Sequence, residues 1–279
     1  MGNKLVSFIV IIVMVFLEYL ILSFNPFTEI LALVIPSLYS LTLTFITIIF
    51  CFKNHISLTS EKALTSSALL TAVMQITILF WASFFTSFGI SPYNLTSVGV
   101  LMNATYFTTT LLSKETSRAF LIKSCPKKRI FMGITLIALF YTLVTVPMAR
   151  FTTLKTTLVF SKFVSSELLP TLAQNLLVTY LALLGGPAAS IAYLGTLEAF
   201  EWLSPILPNP PWTIKALITT LTPIIGFLMI SKIVSPFTLK RYGIITGRKA
   251  KRRPAALKPT PSLSWMTIAI IAVILLWGS

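Results

Sequence analysis

The sequence predicts an all-α fold, a polytopic transmembrane helix bundle of about nine spans. Of its 279 residues, 56% are hydrophobic and only 10% are charged, and the mean hydropathy is +0.89. A soluble domain carries about a quarter charged residues. Apolar runs of about 20 residues recur along the chain, and each is long enough to cross roughly 30 Å of hydrocarbon. These observations exclude a soluble enzyme.

Each predicted span is an apolar run bounded by turn residues or charges. Turn signals between the runs include Asn25-Pro26 and Gly185-Gly186-Pro187, which favour chain reversal. The segment 188–207 is the weakest, since it contains two glutamates. If it re-enters or lies in the interface instead of crossing, eight spans remain. The nine segments are 5–24, 30–52, 63–88, 91–112, 130–149, 168–184, 188–207, 212–231 and 263–279.

These segments divide the chain into three parts. Residues 1–231 form the multi-span bundle, and residues 232–262 form a basic, proline-containing cytoplasmic linker. Residues 263–279 form the final span, which is short for a crossing. We therefore expect this last part to be cut short before a missing extracytoplasmic domain.

The distribution of positive charge predicts the orientation. With the N-terminus inside, eighteen Lys and Arg residues fall on the inner side and four on the outer side. Six of the eighteen are counted in an inner loop between Lys114 and Arg129, and nine lie between Lys232 and Lys258. Cytoplasmic loops carry the excess of Lys and Arg. The predicted location is the cell membrane, with a cytoplasmic N-terminus and an extracytoplasmic C-terminus.

The formal net charge of +15 predicts contact with lipid and not with nucleic acid. The basic residues lie in short loops between apolar runs, where they determine orientation. Basic residues close to a bilayer attract anionic headgroups. Membrane lipids are therefore the expected partners of the linker, through Arg248, Lys249, Lys251, Arg252 and Arg253.

Catalytic and metal-binding patterns are missing from the sequence. His55 is the only histidine, and the chain contains no aspartate, so a Ser-His-Asp triad cannot form. No Cys or His spacing typical of a metal site occurs, and we expect no cofactor, no metal and no catalytic residue. Cys51 and Cys125 both lie near the predicted inner face, where thiols stay reduced.

The candidate polar site within the membrane consists of Glu198, Glu201, Trp202 and Lys215. Glu198 and Glu201 are three residues apart and share a helix face, with Trp202 beside Glu198. A charge at mid-bilayer is costly and often marks a proton or cation pathway. Lys215, in the next span, is the nearest expected cation. The alternative is a polar pair bonded to backbone or to Ser and Thr of a neighbouring span.

The same region resembles a known family. Residues 186–208, which include the run EAFEWLSPILP, resemble the membrane region of long archaeal-type signal peptidase I proteins. The order of a span, a basic linker and a final span is also similar over residues 185–279. The resemblance implies a serine peptidase domain after the last span, with a Ser-Gly-Ser-Met-type motif. No such motif occurs in this chain, so no catalytic residue is carried over.

Three functional hypotheses follow. The first is a non-catalytic membrane domain tied to signal-peptide processing or secretion, inactive alone, with a peptidase catalytic domain or a secretory precursor as its partner. The second is a small ion-coupled permease or transporter whose site includes Glu198 and Glu201. The third is a structural subunit of a larger membrane complex.

Overall fold

The chain folds into a helix bundle, which confirms the all-α prediction. The computed structural model describes residues 2–24, 31–58, 61–152, 154 and 156–244. The long helices are α1 (Gly2–Ser23), α2 (Leu31–Lys53), α3 (Lys62–Phe84), α4 (Ser97–Ser124), α5 (Ile130–Thr145), α8 (Leu169–Leu203) and α9 (Trp212–Ile233). Shorter elements are β1 (Phe88–Ile90), α6 (Met148–Thr152), α7 (Thr157–Phe163), β2 (Ile206–Pro208) and α10 (Pro236–Arg241).

Six helical stretches in the described residues are long and apolar enough to cross a membrane. The chain is therefore a multi-pass membrane protein. Large apolar side chains such as Phe45, Leu136 and Leu217 are exposed on the outside of the bundle, where they would contact lipid. The six stretches are Lys4–Ser23, Leu31–Lys53, Lys62–Phe84, Lys127–Thr145, Thr157–Leu203 and Trp212–Ile233.

Helix α4 differs from these six because it is long but polar. It begins at an N-cap, where the Thr96 hydroxyl accepts a hydrogen bond from the Gly99 amide at 3.2 Å, as capping requires. It ends at Ser124, and its C-cap Cys125 is followed by Pro126, which cannot continue a helix. Nearly every residue from Thr109 to Ile122 is buried, so α4 lies in the centre of the bundle.

Side-chain contacts define two ends of the bundle. Ser7 on α1 lies 3.4 Å from Asn54 after α2, and Lys123 on α4 donates to the Ser57 carbonyl at 2.8 Å. The end of the bundle marked by these contacts is called the basic end. At the opposite end, the Tyr19 hydroxyl donates to the carbonyl of Val146, just after α5, at 3.1 Å. This opposite end is called the sheet end because it carries β1 and β2.

Helix α8 reverses direction at Gly186. This glycine has φ 69° and ψ −172°, a conformation that residues with a Cβ avoid. The first half, α8a (169–185), begins near the sheet end, where Glu167 contacts Arg150 at 3.3 Å, and reaches Leu64 at the basic end. The second half, α8b (187–203), returns to the sheet end, where the Phe200 and Phe80 rings lie 5.5 Å apart.

The two connections at the sheet end are joined by a small antiparallel sheet. Strand β1 follows α3 and strand β2 follows α8b, and Ile90 pairs with Ile206 in register. The Ser87 hydroxyl donates to the Asn209 carbonyl at 2.9 Å and extends this contact. The sheet therefore holds together two loops that are more than one hundred residues apart in sequence.

Several predicted boundaries shift by a few residues, and one is wrong. The segment predicted at 91–112 is α4, and it runs from 97 to 124. The predicted linker begins as α9 ends, and its first described part forms α10. The rest of the linker, including Arg248 to Arg253, and the predicted span 263–279 lie outside the described residues.

Candidate functional site

The four residues of the predicted site lie near the sheet end but do not form one cluster. Glu198 and Trp202 on α8b are partly buried, whereas Glu201 and Lys215 are exposed. Within the described residues, no ion pair joins Lys215 to either glutamate. Trp202 instead stacks on Tyr93, with ring centroids 4.1 Å apart.

Tyr93 ties this region to the loop before α4. Trp202 also lies 5.3 Å from the Tyr106 ring on α4. Burial, and then the nearby carboxylates of Glu201 and Glu198, raise the pKa of the Tyr93 phenol. The end of α8b therefore packs through Trp202 against the loop before α4 and against α4 itself.

The prediction that Lys114 and Arg118 lie in an inner loop is wrong. Lys114, Glu115 and Arg118 lie within the helix, and Glu115 and Arg118 are 0% and 1% exposed. The Arg118 guanidinium contacts the Glu115 carboxylate at 3.2 Å, one helical turn away. Glu115 and Arg118 are the most deeply buried charged side chains among the described residues.

Arg118 is held by three further helix contacts. Its Nη1 donates to Asn175 Oδ1 at 2.8 Å and to the Thr179 hydroxyl at 3.3 Å, both on α8a. On the other side, its guanidinium carbon lies 4.0 Å from the centre of the Tyr141 ring on α5. A cation over an aromatic face is favourable. Arg118 therefore joins α4, α5 and α8a.

Glu18 forms a second buried carboxylate site nearby. It is 2% exposed, and its Oε1 accepts hydrogen bonds from Ser40 on α2 and Ser113 on α4, both at 2.5 Å. Its other oxygen, Oε2, has no hydrogen-bond partner within the described residues. A buried polar atom without a partner is costly and calls for an explanation.

Lys114 is the cation that acts on both Glu18 and Glu198. Its charge is the largest electrostatic influence on each of these two carboxylates. Tyr106, two helical turns before Lys114 on α4, lies close enough for both Glu18 and Glu198 to act on its phenol. The cation expected from the next span, Lys215, is thus replaced by one from α4. Glu18, Lys114, Glu115, Arg118 and Glu198, which lie on α1, α4 and α8b, are called here the interior charge cluster.

One signal in the sequence could have located the part of the cluster that lies on α4. From Val100 to Cys125 there is no Gly or Pro, so nothing in the sequence breaks a helix there. Glu115 and Arg118 also have the i,i+3 spacing that puts two residues on one helix face. Averaged hydropathy hides both facts, because it counts each charge as evidence for a loop.

The remaining predicted residues lie at the ends of the bundle. His55 is exposed at the basic end, in the turn after α2. Cys51 and Cys125 are free thiols, and burial raises the pKa of the Cys125 thiol, which lies just after α4. Among the described residues, no group of three or more His, Cys or Glu side chains could hold a metal ion.

No protein family, curated protein or solved structure matches this chain.

Proposed function

We propose that the chain crosses the membrane nine times, with the basic end in the cytoplasm and the C-terminus outside. Two observations support this topology. The reversal at Gly186 provides separate passages for α8a and α8b, and positive charge is concentrated at one end, as cytoplasmic ends require. Three described Lys and Arg residues lie at the sheet end (Arg150, Lys162 and Lys215) and ten at the basic end (Lys4, Lys53, Lys62, Lys123, Lys127, Lys128, Arg129, Lys232, Lys240 and Arg241).

We further propose that the protein is a non-catalytic membrane domain tied to signal-peptide processing or secretion. Its sheet end would hold the apolar segment of a secretory precursor for a peptidase domain outside the membrane. The observation that carries this proposal is the β1–β2 pair. Ile90 and Ile206 are direct cross-strand partners and are 91% and 53% exposed.

The position of these isoleucines favours binding over simple contact with lipid. They lie in strands beyond the ends of α3 and α8b, where interfacial aromatic residues are more typical than isoleucine. Exposed apolar patches often mark interaction sites. The resemblance of residues 186–208 to the signal peptidase membrane region supports a signal peptide as the bound segment.

Photocrosslinking in membranes tests this function. A photoreactive residue at position 90 or 206 should give adducts with a precursor that carries a signal peptide. A matched residue at position 136, which is exposed on α5, should give adducts with lipid only. A precursor whose apolar core carries a charge should lose the adducts at both sheet positions. If positions 90 and 206 behave like position 136, the proposal is wrong.

The second candidate function is a small ion-coupled permease, and it is favoured by the interior charge cluster. Glu198 is partly buried, with Lys114 as the strongest cationic influence on its carboxylate, and intramembrane charges often mark ion pathways. Proteoliposomes with an internal pH-sensitive dye test this candidate. Proton flux that disappears in Glu198→Gln and persists in Glu201→Gln would support transport and would count against the non-catalytic domain as the whole function.

A further inference from the structure

The charges of the interior cluster do not balance. It holds three carboxylates, from Glu18, Glu115 and Glu198, and two cations, from Lys114 and Arg118. The deeply buried members, Glu18, Glu115 and Arg118, would carry one net negative charge inside an apolar bundle if all were ionised, and the partly buried Lys114 and Glu198 add one charge of each sign. An uncompensated charge in such a medium is unfavourable, and proteins usually neutralise it by protonation or by a bound cation.

The three carboxylates differ in how well their charge is compensated. Glu115 has the full positive charge of the Arg118 guanidinium at 3.2 Å on its own helix, although neither of its oxygens has a hydrogen-bond partner among the described residues. Glu198 is only partly buried and lies close to the exposed end of α8b. Glu18 is almost completely buried, and it receives only two neutral hydroxyl donors, both on the same oxygen. The negative charge of Glu18 is therefore the least compensated of the three, and a bound positive charge would neutralise it.

None of the groups that face Glu18 occupies its second carboxylate oxygen, Oε2, so this oxygen can bind a proton. Tyr39 on α2 donates its own proton to the Met14 carbonyl at 2.9 Å. Tyr141 on α5 pairs with Ser117 at 2.7 Å. From α4, the positive charge of Lys114 acts on Glu18, and Tyr106 lies close enough for the Glu18 carboxylate to act on its phenol. None of these groups forms a hydrogen bond with Oε2 among the described residues.

We propose that Glu18 is a proton-binding site, with the proton on Oε2 and the Ser40 and Ser113 hydroxyls bonded to Oε1. The proton makes the cluster electrically neutral. A buried neutral hydroxyl also costs much less than a buried charge. This site does not depend on either function proposed above, because it follows from burial, charge and hydrogen bonding alone.

A proton fits the site better than a metal ion does. The site offers four oxygen atoms, two from the carboxylate and two from Ser40 and Ser113, whereas hard cations prefer about six oxygen ligands. The Ser40 hydroxyl donates to Oε1, and the Ser113 hydroxyl donates to Oε1 or to the Thr110 carbonyl, so a bound cation would have to turn a donated hydrogen away from Oε1. The Lys114 ammonium in the same cluster would also repel a metal ion.

Infrared spectroscopy of the full chain in lipid tests the proposal. With ¹³C-labelled glutamate, the wild type should show the isotope-shifted C=O band of a protonated carboxyl group at neutral pH. Glu18→Gln should lose this band, and the matched variant Glu198→Gln should keep it. Because glutamine mimics a protonated glutamate in shape and charge, Glu18→Gln should also fold and unfold at close to the wild-type temperature.

Four outcomes would overturn the proposal. They are the absence of a protonated-carboxyl band in the wild type, its persistence in Glu18→Gln, its loss in Glu198→Gln, and failure of Glu18→Gln to fold. Titration with NaCl distinguishes a bound proton from a bound Na⁺ ion. Loss of the band together with a rise in Tm as Na⁺ is added would show that the site takes a metal cation and not a proton.

Discussion

Replacing Arg118 with methionine should be among the most destabilising single changes in this bundle. Methionine has a similar length and remains apolar, so the change removes the charge and its hydrogen bonds while filling much of the same space. It leaves the Glu115 carboxylate at 0% exposure without its ion-pair partner. It also removes the donor to Asn175 Oδ1 and the cation that lies over the Tyr141 ring.

The size of the effect follows from the burial of the pair. Breaking a buried ion pair by removing one partner costs about 3–5 kcal/mol, mainly because the other charge is left uncompensated. Removing both charges is often close to neutral, so Glu115→Gln combined with Arg118→Met should recover most of the loss. The double variant still leaves Asn175 without its donor, which costs about 1–3 kcal/mol.

An exposed ion pair provides the matched control. Arg150 and Glu167 are 3.3 Å apart, with side chains 58% and 33% exposed, and such pairs contribute about 0–1 kcal/mol. Arg150→Met should therefore change stability little, while Arg118→Met should lower it strongly. Reversible unfolding in mixed micelles, measured by circular dichroism, provides the four free energies of unfolding. If Arg118→Met and Arg150→Met have equal effects, or if the double variant is no better than Arg118→Met, the interior is hydrated and the reasoning fails.

Three more predictions test other parts of the fold. Gly186→Ala should cost about 1–3 kcal/mol because alanine avoids the backbone conformation at the turn, whereas Gly89→Ala, with ordinary contacts of 3.7 Å or more, should be nearly neutral in the same unfolding assay. Tyr193→Phe removes the 2.7 Å hydrogen bond to buried Gln75 and should lower stability by about 1–3 kcal/mol, and adding Gln75→Leu should restore part of it. Ala250→Cys should resist a membrane-impermeant thiol reagent added outside intact cells, and strong labelling would refute the cytoplasmic linker.

The apolar runs of this sequence determined the helices. Five of the predicted segments (5–24, 30–52, 63–88, 130–149 and 212–231) match α1, α2, α3, α5 and α9 within a few residues. Length and hydropathy suffice for this, since a helix satisfies its own backbone hydrogen bonds in lipid. The Gly185-Gly186-Pro187 signal likewise identified the reversal between α8a and α8b, because a glycine conformation is a local property of the chain.

The contacts that bring the α4 charges to other helices could be found only from the tertiary structure. Glu18 meets Ser113 across 95 residues of sequence, and Arg118 meets Asn175 across 57. Which helix lies beside which depends on the packing of all the helices together, and no local pattern encodes it. The sequence therefore paired Glu198 with the nearest cation along the chain, Lys215, whereas in the bundle Lys114 of α4 acts on it. Local composition fixes where a helix forms, and the neighbours of that helix decide whether a charge on it faces water or a buried partner.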